Sequence, residues 1–254
     1  MKTLIYIILS MFLLSSCNFL DVSMDELYEE NGIMYFKKND EIFTGTAIDY
    51  FENSKIRKSY EFVDGEKHGV CKEWYNNEQM QYLRNYKNKI LDGPYEEWFE
   101  NGQQAVKTAY KDNVYDGNFE LRYMNGNKRE IGKYKLGKRV EHWVWYYDNG
   151  TKWVEIDYED GKENGHWIAW YDNGQIREEV DYIQGRKNGH WVEWFKSGVK
   201  LSEGKFVDGK ETGLWKFWHE NKILAYERTY KDGIITEEKE WDDEGNLVVS
   251  ESPS

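Results

Sequence analysis

The chain has 254 residues, enough for one large domain or a string of small units, with 32% charged residues and a formal net charge of −13. Its lysines and arginines are scattered among Glu and Asp, which excludes a nucleic-acid binder, whose cations must cluster to displace counterions, and argues against a mature surface lying flat on anionic lipid. Aromatics at 17%, with 12 Trp and 20 Tyr, point to aromatic positions used repeatedly, and 22 Gly beside 2 Pro fits many tight turns between uninterrupted strands.

In chain order the first element is a targeting segment. Met1-Lys2 is a short positive start, and Leu4 to Leu14 is an apolar run broken only by Ser10. A membrane-spanning helix needs about 20 residues, so this run reads as the apolar region of a signal peptide. Leu14-Ser15-Ser16-Cys17 resembles the bacterial lipobox. That resemblance implies that residues 1–16 are removed and that Cys17 is diacylated as the mature N-terminus, its two or three acyl chains giving stable anchoring. Asn18, in place of the Asp that resembles an inner-membrane retention signal, favours the outer membrane of the cell envelope. Residues 17–31 are acidic and without strong pattern, and read as a short tether. With Cys17 lipidated, Cys71 has no partner for a disulfide, and it reads as a buried filler.

Residues 32–247 form a repeat array. Gly recurs at 45, 69, 93, 117, 165, 189 and 213 in steps of 24 residues or a multiple, the one gap falling at Glu141. Counting each of these eight starts as position zero, position seventeen is always aromatic: Phe62, Tyr86, Tyr110, Tyr134, Tyr158, Tyr182, Phe206 and Tyr230. Position two runs from Ala47 and Cys71 through Tyr95 and Phe119 to Trp143, Trp167, Trp191 and Trp215. Weaker half-units flank the eight, and residues 248–254 read as a disordered tail.

Each unit is expected to be a β-hairpin. Asn-Gly at positions eight and nine is the strongest short-range hairpin signal and predicts a two-residue type I′ turn. Cross-strand partners then sum to seventeen: zero faces the aromatic at seventeen, two faces fifteen, six faces eleven and five faces twelve. On this register a ring covers each position-zero Gly, and Trp170 pairs with Arg177 and Tyr146 with Trp153. A second turn follows near positions nineteen and twenty. The expected fold is all-β, an elongated antiparallel meander of about eight tandem 24-residue hairpins in a single twisted or coiled sheet.

The pattern Gly-x-Trp-x-x-Trp-Tyr-x-Asn-Gly followed by Tyr-x-x-Gly, clearest from Gly165 to Gly174 with Tyr182 and Gly185, resembles the MORN-repeat variant. Arrays of that variant also characterise the bacterial YwqK-type proteins, often labelled antitoxin-like. The resemblance covers about residues 28–247. It implies a scaffold or an immunity-like partner for another protein, and less securely phospholipid contact. It supplies no catalytic residues, and the lipobox departs from a cytosolic antitoxin.

Chemistry-bearing motifs point away from catalysis. His142, His166 and His190 share position one, but equivalent residues two strands apart lie roughly 10 Å from each other, too far for one zinc ion. Carboxylates such as Asp148, Asp160, Asp172 and Asp208 fall at turns and solvent-facing positions, and no calcium loop, phosphate loop or nucleophile elbow is present in the sequence. No enzyme, metal or cofactor is expected. The candidate binding row is position five: Trp74, Trp98, Tyr146, Trp170, Trp194 and Trp218, with Tyr50 before them. Burial against the coil of the sheet is one fate for these rings. In a single-layer sheet an exposed row would instead mark a binding surface. The expected function is non-enzymatic protein–protein interaction, with a carbohydrate or cell-wall ligand on the Trp row as the alternative.

Overall fold

The computed structural model describes residues 21–251, so the targeting segment and Cys17 lie outside the described residues. Among the described residues one sheet of 21 strands contains most of the chain, and a separate two-stranded hairpin follows its first strand. Strands β1 (Asp21–Ser23), β2 (Leu27–Glu30) and β3 (Ile33–Phe36) precede the repeats, which open with β4 (Gly45–Tyr50), β5 (Ile56–Val63) and β6 (Glu66–Trp74). From β4 to the last strand, Leu247–Glu251, the successive long strands pair antiparallel with one another. β1 lies parallel beside β4 at the opposite edge. Every substantial strand contact is between ladder neighbours, so the array is a single layer, the all-β meander expected.

The ends differ from expectation. Residues 21–30, read as tether, form β1, a 3-10 turn and β2, because Val22 and Leu27 bury themselves with Phe43, Ala47 and Phe62 in a cluster that closes the first edge. Residues 248–251, read as tail, belong to the last strand, which pairs with Ile234–Trp241. That pair is a ninth hairpin. Trp241 pairs with Leu247 just before the turn, as Trp218 does with Leu224, although only 23 residues separate the two tryptophans.

The two turns exchange the roles expected of them. The tight type I′ turn lies at positions nineteen and twenty, where both residues have positive φ, as in Asp160 (51°) and Gly161 (83°). The Asn-Gly turn is instead a three-residue loop. In the unit from Gly165, Gly174 N–H donates to Tyr171 O (2.9 Å) and Tyr171 N–H to Gln175 O (2.8 Å), and only Gly174 has positive φ (84°). That is a type I turn closed by a left-handed bulge residue, which the lone glycine satisfies without demanding the same of Asn173. Its extra residue shifts the register by one. Positions zero to four keep the expected partners, Gly165 facing Tyr182 and Trp167 facing Val180, but Trp170 faces Ile176 and Tyr146 faces Lys152, not Arg177 and Trp153.

Position zero is also explained differently. Between units the ladder breaks, as where Tyr60 pairs with Cys71 but Phe62 with Lys67, and Gly69 sits in that bulge at φ 80°. Glu141 holds the same place at φ 60°. Glycine is favoured there for its backbone, not to admit a ring. The room for rings is made at position fifteen: a Cβ on Gly132 would stand 2.1 Å from the Trp143 indole, and one on Gly204 the same distance from Trp215. These tryptophans lie flat over the backbone. Trp143 is fully buried, and its Nε1 donates to the carbonyls of Lys133 and Val140, both at 3.2 Å. Val180, Trp191, Phe206 and Trp215 continue the aromatic spine on that face. Cys71 lies buried on it as expected, and burial pushes its thiol up to about 11.

Candidate binding surface

The opposite face and the edge formed by the three-residue turns are built by side chains that tie each hairpin to the next. Asn at position eight folds its carboxamide back, Asn173 Oδ1 accepting from Gln175 N–H (3.1 Å). Its Nδ2 then reaches forward to donate to Lys196 O of the following turn (3.1 Å). Asn77, Asn101, Asn125, Asn149 and Asn221 repeat both contacts. Two residues earlier a hydroxyl does likewise: Tyr147 donates to Trp170 O and Tyr171 to Trp194 O, each at 2.9 Å, and His219 Nε2 lies 3.1 Å from Trp241 O. The carbonyls that would be left open at each bulge are thereby satisfied by the neighbouring unit.

That edge carries the position-five row. Trp74, Trp98, Tyr146, Trp170, Trp194 and Trp218 are all half-buried, and Tyr50 is exposed. Among the described residues no second layer covers them, so burial against a coil of the sheet, the first fate considered, does not occur there. Their partial burial comes sideways from the adjoining hairpin: Lys152 Nζ lies 5.3 Å from the centre of the Trp170 ring and Lys200 Nζ 5.5 Å from that of Trp218. Arg122 takes the position in the unit from Gly117 and interrupts the row. Clefts open at equivalent places. Lys55, Ile56, Trp74 and Glu78 line one of about 370 Å³, and Ser197, Gly198, Val199, Lys200, Trp218 and Lys222 line one of about 520 Å³.

Sequence reasoning missed two parts of this surface. Trp241 extends the row into the ninth hairpin and was hidden because that unit is one residue short. Position fourteen is Glu in four successive units, Glu155, Glu179, Glu203 and Glu227, each opposite position three of its own hairpin. The signal was present in the 24-residue spacing but was lost among 47 acidic residues. Lys152 pairs with Glu155 and Lys200 with Glu203, each at 2.6 Å. The position-one histidines divide. His142 and His166 share hydrogen bonds of 2.8 Å with Asp157 and Asp181, whereas His190 faces Lys205. Among the described residues no group of three or more His, Cys, Asp or Glu is placed to hold a metal ion, and no helix is long and apolar enough to cross a membrane.

No curated protein matches the chain. Solved structures of toxin complexes align with 87% of it: the crystal structure of TcdB2-TccC3-Cdc42 (7% identity, TM-score 0.22), that of TcdB2-TccC3 (10%, 0.18), and the Photorhabdus luminescens Tc holotoxin pore carrying a TccC3 mutation (8%, 0.23). The chain spans only 14% to 16% of those chains, and alignments of this quality establish no common fold. The family described as MORN repeat variant matches at residues 67–88, 142–160, 163–184 and 211–232, each segment running from a bulge across the three-residue turn to the tight turn. Four of the hairpins therefore match the MORN repeat variant.

Proposed function

We propose that the protein is a non-enzymatic binding array, tethered to the cell envelope by a lipid on Cys17, whose turn edge docks another protein as a scaffold or an immunity-like partner. The observation that carries the reading is the position-five row: half-buried aromatics on a single-layer sheet, held in register by the Asn and Tyr ladders and, among the described residues, covered by no second layer. Rigid aromatics in partly desolvated clefts are the residues that anchor protein interfaces. The likeness to antitoxin-labelled YwqK-type proteins belongs to the same proposal, as does placement in the outer membrane.

The test is cross-linking of the tagged protein in its native cells, with mass spectrometry of what is retained. A stoichiometric protein partner is expected, and it should be lost from the Trp170→Ala, Trp194→Ala, Trp218→Ala triple variant. Retention by the folded triple variant would move the interface elsewhere. Glycan captured without any enriched protein would replace the reading with envelope-polymer binding. The anchor is tested separately: Cys17→Ser should move the protein from the membrane fraction to the soluble one, and persistent membrane association would refute lipid attachment there.

A further inference from the structure

Tyr146, Trp170, Trp194, Trp218 and Trp241 hold one position in five consecutive hairpins, and the carboxylates Glu155, Glu179, Glu203 and Glu227 run beside them in four of the five. Consecutive hairpins are two strands apart, so at a ladder spacing of about 4.7–4.9 Å the row has a period of about 9.4–9.8 Å. A chain-like ligand that fills every site must return the same face at that interval. An extended strand repeats a face every ~6.6–6.8 Å and so falls out of step at the first site. Two turns of α-helix advance ~10.8 Å and drift by about 1 Å or more at each site. A polyproline II helix repeats its face every three residues, or about 9.3 Å, and stays within about 2 Å of register along all five aromatics.

We propose that this row is a docking groove for a basic, proline-rich segment in the polyproline II conformation. The segment lies along the sheet axis, across the turns, with one proline-bearing turn at each aromatic. Such helices dock on aromatic-lined grooves with little ordering cost, because they are extended before they bind. Charge supports the basic character of the partner. The net charge of −13 attracts Lys and Arg placed between the prolines; Glu155, Glu203 and Glu227 are already paired with Lys152, Lys200 and Lys216, and a partner cation over Glu179 meets the carboxylate of the row that none of these lysines engages. Arg122 ends the groove on one side, at the position where its aromatic would stand. The span across five aromatics calls for about 13 residues of ligand.

This inference rests on the reading of the turn edge as a protein-binding surface, and the experiment separates the two. The full mature chain is titrated with a fluorescent peptide of about 15 residues, proline at every third position and Lys or Arg between, and with a peptide of the same composition in which the proline spacing is scrambled. The regular peptide is expected to bind at least roughly tenfold more tightly than the scrambled one, and to lose roughly tenfold or more on the Trp170→Ala, Trp194→Ala, Trp218→Ala variant. Where that variant fails to keep its sheet by circular dichroism, Glu179→Gln, which leaves the aromatics in place, is expected to weaken binding several-fold with a shallower salt dependence. Equal affinity for the two peptides, or no binding of either, overturns the inference. If the cross-linked partner is nonetheless retained through the same tryptophans, the protein-binding reading stands and only the peptide chemistry falls. If no protein is retained, both fall.

Discussion

Glu141 shows what the backbone asks of position zero. It sits at φ 60° where seven other units place Gly, and its carboxylate reaches Lys133 at 2.5 Å across an exposed surface. A non-glycine residue in the left-handed region costs on the order of 1 kcal/mol or more, while an exposed ion pair returns a few tenths to about 1 kcal/mol. Glu141→Gly should therefore stabilise the protein by about 0.5–1 kcal/mol, seen as a higher urea midpoint at unchanged slope. A lower midpoint would mean that the ion pair outweighs the strain. The sequence exposed the exception at Glu141 but misassigned its cause: a Gly opposite an aromatic looks like room for a ring, and only the φ values identify a bulge. The true ring-admitting glycines, Gly132 and Gly204, appear in just two units, too few to register as a repeat.

Each hairpin was legible because its aromatics and glycines keep one spacing without insertion, and zero-to-seventeen pairing followed directly. What could not be read was the kind of turn. Asn-Gly suits both a two-residue type I′ turn and the last two residues of a three-residue loop, and the choice depends on whether Asn173 is more stable folding its carboxamide onto Gln175 and reaching Lys196. The second contact belongs to the next hairpin, so no single unit contains the information. That one-residue difference moved the partners of Trp170 and Tyr146. Asn173→Ala removes both contacts and leaves Lys196 O without its donor, and it should cost about 1–2 kcal/mol by urea denaturation. Asn173→Ser, the residue found at Ser197, should recover part of the loss, because a hydroxyl still serves the turn even though it is too short for the neighbour. Equal losses for both variants would assign the whole effect to the forward contact.

Across the whole array the aromatic spine makes the protein sensitive to alkali. Burial is the largest cause raising the phenols of Tyr60, Tyr86, Tyr95, Tyr110, Tyr134, Tyr158 and Tyr182. Tyr158, with the Glu163 carboxylate adding to the effect of burial, is pushed up to about 12. An unfolded tyrosine titrates near pH 10. Above that pH the unfolded chain releases protons that the folded sheet retains, so the stability these groups provide is fully present below about pH 10 and is lost as pH rises toward the folded values. Cys71, raised to about 11, acts in the same direction from a lower starting point. Because spine rings pack against rings of the adjoining hairpin, as Trp215 does against Trp191 and Phe206, ionisation of one unit weakens its neighbours. Tyrosinate absorbance and the far-ultraviolet sheet signal should therefore change together in one steep step above pH 10. A gradual rise in absorbance centred near pH 10 with the sheet intact would show that the spine phenols reach water in the folded state, and that the array is held by its turn ladders instead.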